Sequence, residues 1–399
     1  MTAGAIANAR FRVLLWSIVG AVAWLGALAI GATLWQADPR AAGFDWELVV
    51  EAGRRVSAGL SPYDPALLAG TADLAALDLF YSYPPPVAQA AALLAGVPSL
   101  VSLLVLDGVA VLGVALVTAT LARGRPGLRP TEVALSTVAI LPLLFPVTVA
   151  LVFGNVDVLY PLVYGAVLLG SVAAGSGPVT AIAGGIALAL ATVAKIHPGG
   201  IGAWLLVRGL RERREGSTPR SWAILTSAIA TGLIVVVASL FVGGVGPWMD
   251  YLRVIGAVSG ADVIVRSNIG PAAQLALVAG LDATAARAVY VATVAAGLFV
   301  TAWAAWRVRD VVLSLAIGSV ASLILLPITW YHYPPALLPF AVAAILRSGA
   351  PVSGRVVALV FAAGVVASLA IALPVAVWAA VALVIAAVAI SDPGRQRGT

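Results

Sequence analysis

Cysteine is absent from this chain of 399 residues, which excludes both a disulfide framework and a thiolate metal site. Charge is scarce: 10% of the residues are Asp, Glu, Lys or Arg, against roughly a quarter in a soluble domain. Histidine occurs only at His197 and His332, on different segments, so no His-x-x-x-His spacing exists. Any metal is left to acid-only Mg²⁺ or Mn²⁺ coordination through Asp45 and Asp157, and no cofactor is expected. Lysine occurs once, as Lys195, all other basic residues apart from the histidines being arginine. That bias fits a GC-rich bacterial genome and makes the single lysine conspicuous.

What the chain has instead is apolar sequence, 62% of it, with a mean hydropathy of +1.06. Runs of about 20 apolar residues, each long enough to cross a bilayer as a helix, recur from end to end. The expected fold is all-α and integral to the membrane, a polytopic helical bundle forming one domain over 1–399. Residues 13–35 exceed the apolar core of a signal peptide and follow Arg10 and Arg12, so they read as a retained signal-anchor. A net charge of +6 would suggest nucleic acid in a soluble protein. Here the arginines fall in short loops between apolar runs, the positive-inside pattern.

Arginine placement gives a topology of about twelve crossings with both termini cytoplasmic. Residues 36–86 form a first outer loop. Residues 87–122 make one net inward crossing, broken near Pro98, and 131–152 return outward. Segments 159–174, 179–194 and 199–207 lead to the most basic loop, 208–220. After the crossing at 222–242 comes a second outer loop, 243–268, and then a half-helix at 269–279. Crossings at 284–306, 311–328, 334–346, 356–373 and 375–390 complete the bundle. This arrangement sends Asp45, Asn155, Asp157, Lys195, His197 and the turn from Tyr331 to Tyr333 to the outer face.

Within the first loop, Trp46, Val49, Ala52 and Val56 alternate at helical spacing with Glu47, Glu51, Arg54 and Arg55, the pattern of an interfacial amphipathic helix. Asp45 stands just before it. Two readings are open: an N-cap accepting a backbone N–H, or a general base at the membrane surface. Ser61, Pro62, Tyr63 and Asp64 read as a turn, and Tyr81, Ser82 and Tyr83 with Pro84 to Pro86 as a helix start in an aromatic belt. Lys195 is either a snorkelling lysine or a point charge for phosphate. His332 is either a packed ring or a functional one. Arg253 and Arg266 are further phosphate candidates. Asp107, inside an apolar segment, suggests function by default unless the helix break brings it to water.

In order along the chain, these landmarks resemble the membrane glycosyltransferases of the GT-C fold that use polyprenyl-phosphate sugars, most closely glycosyltransferase family 87 of actinobacteria. The carrying residues are Asp45, the stretch from Gly59 to Tyr63, the stretch from Tyr81 to Pro85, Gly154 with Asn155, Lys195 to Pro198, Asn268, and Trp330 to His332. The chain departs from the family pattern at Asp157, at Ile269 with Gly270, and at Tyr333. The resemblance implies an inverting transfer of mannose from polyprenyl phosphate to a hydroxyl of a lipid-linked or cell-envelope glycan, on the extracytoplasmic face of the plasma membrane. It implies Asp45 as the catalytic base, Lys195, His332 and Arg266 around the donor phosphate, and Tyr63, Tyr83, Asn155, Asp157, His197 and Asn268 around the substrates. Besides this enzyme stand an arabinofuranosyl or other pentosyl transferase with a similar donor, and a transporter or flippase of lipid-linked intermediates. A transporter calls for polar groups near the bilayer midplane, and apart from Asp107 there are few.

Overall fold

A computed structural model describes residues 3–38, 42–71, 80–125, 128–172, 178–259, 268–325, 328–349 and 352–392. Every regular element among them is helical. The chain begins with α1 (Ala3–Ala37), α2 (Phe44–Ser57), α3 (Pro65–Leu68), α4 (Pro85–Ala92) and α5 (Ser99–Ala122). It continues through α6 (Pro130–Ile140), α7 (Phe145–Phe153), α8 (Tyr160–Val172), α9 (Pro178–Ala194), α10 (Gly200–Arg214) and α11 (Arg220–Gly243). The remainder is α12 (Gly246–Ser259), α13 (Pro271–Ala279), α14 (Ala283–Arg307), α15 (Val311–Leu323), α16 (Leu338–Arg347), α17 (Ser353–Ser368) and α18 (Ala376–Ile390).

Among the described residues, four helices are long and apolar enough to cross a membrane: Phe11–Ala37 of α1, then α5, α11 and α14. Their outward side chains are apolar, among them Val22 and Leu25, Leu104 and Val109, Leu233 and Phe241, and Phe299. A lipid environment accepts such a surface and water does not. The single crossing expected at 131–152 is instead two helices, α6 and α7, bent by 79°. Pro142 and Pro146 flank the bend, and each removes a backbone donor that a straight helix needs. Counted as one span, the pair makes five. The other apolar helices run 10–17 residues, so helix length does not give the expected count of about twelve.

Small residues let the bundle close. A Cβ on Gly185 of α9 would overlap Ser227 and the backbone of Ile224 in α11, the small-residue contact by which membrane helices approach one another. Around it, Tyr164, Leu168, Trp204, Leu315 and Phe340 form the main apolar core.

Two stretches expected as loops are helical. Residues 243–268 contain α12, whose Tyr251 and Val254 are buried against Trp46, Val49 and Tyr63 of the first outer loop. The basic loop at 208–220 begins inside α10, where Arg208 donates to the carbonyls of Val308 (3.0 Å) and Arg309 (3.3 Å), and Arg211 to that of Val308 (2.9 Å). These cations satisfy carbonyls left open where α14 ends, which keeps the arginines in the helix.

Candidate functional site

The amphipathic helix expected after the first span is α2. Trp46, Val49, Val50 and Ala52 are buried, while Glu47 and Glu51 face outward. Its N-cap is Gly43 (φ +75°), and no side chain caps it. Asp45 lies one turn position inside, so the N-cap reading of Asp45 does not hold. The Gly43 N–H donates to the carbonyl of Val152 at 2.7 Å, at the end of α7, and Trp46 Nε1 donates to Ser102 Oγ of α5 at 2.8 Å. Gly154 completes the junction with φ +68°, and a Cβ there would meet Trp46 Cβ at 2.6 Å and Leu103 Cδ1 at 2.8 Å. Only glycine suits both the left-handed backbone and the close approach.

This junction delivers Asn155 to Asp45. Asn155 Nδ2 donates to Asp45 Oδ2 at 2.7 Å, while its Oδ1 accepts the Asp157 N–H at 3.0 Å and Lys195 Nζ at 3.2 Å. Lys195 Nζ also donates to Asp157 Oδ2 at 2.9 Å, and His332 Nε2 lies 3.2 Å from the same oxygen. Asp157 has a fully buried side chain. Asp45, Asn155, Asp157, Lys195 and His332, drawn from four distant segments, thus form one connected polar network. Burial pushes the Asp45 carboxyl above its ordinary value, with the Asn155 hydrogen bond and the neighbouring His332 and Lys195 charges pulling the other way.

Aromatic rings wall the network. Lys195 Nζ sits 5.6 Å from the centre of the Tyr83 ring and 5.0 Å from that of Tyr333, a cation–π arrangement on two sides. Tyr63 donates its hydroxyl to the Tyr83 carbonyl at 3.0 Å, and Arg55 ties the preceding turn to α2 through the carbonyls of Ser61 (2.8 Å) and Tyr63 (3.0 Å). His197 is fully buried, stacked on Tyr333 at 4.8 Å and edge-on to Tyr160 at 4.9 Å. Burial pushes its pKa down to about 3, so it is a neutral packing ring.

Other expected site residues stand apart. Asn268 Oδ1 accepts the N–H groups of Gly270 and Thr329, both at 2.9 Å, and so pins the turn that carries His332. Arg266 lies outside the described residues. Arg253 is exposed and paired with Asp250 at 3.2 Å. Asp107 is part-buried within α5, away from the network, with one carboxylate oxygen lacking a hydrogen-bond partner among the described residues. Tyr160, which completes the aromatic wall with Tyr333, escaped sequence reasoning because an isolated tyrosine near a membrane interface looks like any belt residue; Tyr333 stood out only as a departure from the family pattern. Among the described residues no group of three or more His, Cys, Asp or Glu is arranged to hold a metal ion.

One half-buried carboxylate with a lifted pKa, beside a lysine and a histidine at one end of a helical membrane bundle, is equipped for group transfer: a base on one side and positive charge on the other. The family comparison names the group. The sequence model of glycosyltransferase family 87 matches residues 81–327, more than half of the chain, and the chain belongs to that family. It is therefore a glycosyltransferase, acting with a sugar donor and an acceptor. Asn155, Asp157, Lys195, His197 and Asn268 fall inside the matched stretch; α2 with Asp45 precedes it and His332 follows it. No curated protein matches the chain.

Proposed function

We propose that the chain transfers a mannosyl group from polyprenyl phosphate to a hydroxyl of a lipid-linked or cell-envelope glycan, with inversion, at the extracytoplasmic membrane surface. The observation that carries this reading is the connection of Asp45 through Asn155 to Lys195, Asp157 and His332. Direct displacement at an anomeric carbon needs one carboxylate base, and a retaining route needs a nucleophile as well. Asp45 takes the acceptor proton as the new bond forms. The other nearby carboxylate, Asp157, is engaged by Lys195 and His332 and has no surface of its own to offer a substrate.

The leaving group in this reading is a lipid phosphate, already anionic, so it needs stabilising charge and no acid. Lys195 supplies that charge, His332 is placed beside it to contribute a ring N–H, and Arg266 is a third candidate. Tyr83 and Tyr333 shield the ammonium from water, which strengthens its pull on a phosphate. The polyprenyl tail lies along the apolar helix faces of the bundle. An arabinofuranosyl donor shares the carrier and the phosphate.

Purified protein given polyprenyl-phosphate-mannose, polyprenyl-phosphate-arabinofuranose and a mannosylated lipid acceptor tests the reading. Release of polyprenyl phosphate coupled to mannosyl transfer is expected. Turnover of the arabinofuranosyl donor alone replaces the sugar. Movement of lipid-linked sugar across vesicles without transfer removes the enzymatic reading of this site.

A further inference from the structure

The turn from Gly59 to Pro62 takes no part in the network around Asp45, yet it lines a recess of its own. Residues of this turn, with Val56, Pro85, Gln89, Val242, Gly243, Gly246, Pro247 and Asp250, enclose a cavity of about 370 Å³ between the C-terminal end of α2, α4, and the junction of α11 with α12. Its polar floor is a pair: Ser61 Oγ donates to Asp250 Oδ2 at 2.8 Å. Gln89 on the wall donates to the Ser239 carbonyl at 3.1 Å, leaving its own carbonyl oxygen on that wall. Around the mouth the surface is apolar and outward: Leu60, Val242, Val245 and Met249 are all exposed.

We infer that this recess is a second subsite for the acceptor, binding an uncharged, hydroxyl-rich headgroup of a membrane lipid at a distance from the reacting hydroxyl. The inference rests on the glycosyltransferase reading and adds the place and chemistry of acceptor recognition. Three observations support it. The floor offers a carboxylate and a hydroxyl, the groups that accept from and donate to sugar hydroxyls. The residues lining the recess include the Asp250 carboxylate and no Lys or Arg, and the neighbouring Arg253 and Arg55 are held by Asp250 and by the carbonyls of Ser61 and Tyr63, so the lining does not favour a phosphate. The exposed rim is apolar, which suits the hydrocarbon part of an amphiphile. Asp45 and Val56 are eleven helical steps apart, about 16 Å at 1.5 Å per residue, so an acceptor that fills both ends is extended. Binding energy gained here holds the reacting hydroxyl at Asp45.

The recess also has the shape for a test. A Cβ on Gly246 meets nothing within 4 Å, so Gly246→Leu occludes the space without disturbing the Ser61–Asp250 pair. Wild type, Gly246→Leu and Asp250→Ala are labelled with a dodecyl maltoside carrying a diazirine in its alkyl chain, with dodecyl phosphate as competitor. Labelling of residues 242–250 is expected in wild type, falling about tenfold in Asp250→Ala, as loss of a hydrogen bond to a charged group predicts, and at least as far in Gly246→Leu, which fills the space. Acceptor KM should rise by a similar factor with donor KM unchanged. Equal labelling of wild type and both variants overturns the subsite, as does displacement by dodecyl phosphate at lower concentration than by unlabelled maltoside. Labelling needs no turnover: a protein that labels as expected but transfers no sugar loses the proposed reaction and keeps the recess, whereas transfer with acceptor KM unchanged in both variants does the reverse.

Discussion

Asp45 shows how a residue's local preference yields to a distant partner. Aspartate before an amphipathic helix is a favoured N-cap, yet Gly43 takes the cap and Asp45 turns to Asn155, 110 positions away in sequence. That partner could not be read from the first loop. A base must be deprotonated to act, so with its carboxyl raised by burial activity should be present at neutral pH and lost as pH falls. The acid limb of kcat/KM should lie above the ordinary aspartate value of about 4. The Asn155 hydrogen bond lowers the Asp45 pKa, so Asn155→Ala should move that limb to higher pH and reduce kcat; a limb that stays or moves down contradicts the network. At Asp157 the effect is on stability. Its fully buried carboxylate pairs with Lys195, and removing one member of a buried pair costs about 3–5 kcal/mol. Asp157→Ala should therefore lower the unfolding temperature of the detergent-solubilised protein, where an unchanged value would mean that the pair contributes nothing.

At the scale of elements, legibility followed hydrophobicity. The long apolar runs of α1, α5, α11 and α14 were plain, because no other structure satisfies the backbone of such a run in lipid. The short helix α12 reads as loop because Asp250 and Arg253 interrupt its apolar residues and the stretch is too short to span. The bend between α6 and α7 was missed although Pro142 and Pro146 are both visible in the sequence; apolarity alone hid it. The packing of α2 was legible in its pattern but not in its tightness. A Cβ on Gly53 would come within 2.5 Å of the Ala91 carbonyl carbon in α4. Gly53→Ala should thus destabilise the α2–α4 segment by about 1–3 kcal/mol, seen as faster proteolysis near α2. Gly232→Ala in α11, where a Cβ meets nothing within 4 Å, should leave cleavage unchanged. Equal cleavage of both variants would contradict the close α2–α4 contact.

For the whole molecule, order and topology carried the sequence argument, since each motif is only a few residues long. The network joins Asp45, Asn155, Lys195 and His332, four residues that the arginine pattern had sent to one face. Tyr63 and Asn268 support their neighbours and His197 is packed among rings, roles that depend on contacts no motif records. The lack of cysteine makes the topology directly testable. A membrane-impermeant maleimide should label a Ser61→Cys protein in intact cells and a Ser217→Cys protein only after the membrane is opened. The reverse pattern would place the network on the cytoplasmic side and end the account of an outer-face donor. The central claim, that Asp45 is the base of the transfer, is met most directly by comparing wild type with Asp45→Asn in donor binding and single-turnover transfer. Donor affinity should be nearly unchanged, while the transfer rate falls by about 10² to 10⁴, the range that general base catalysis supplies. Transfer at the wild-type rate would show that Asp45 is not the base.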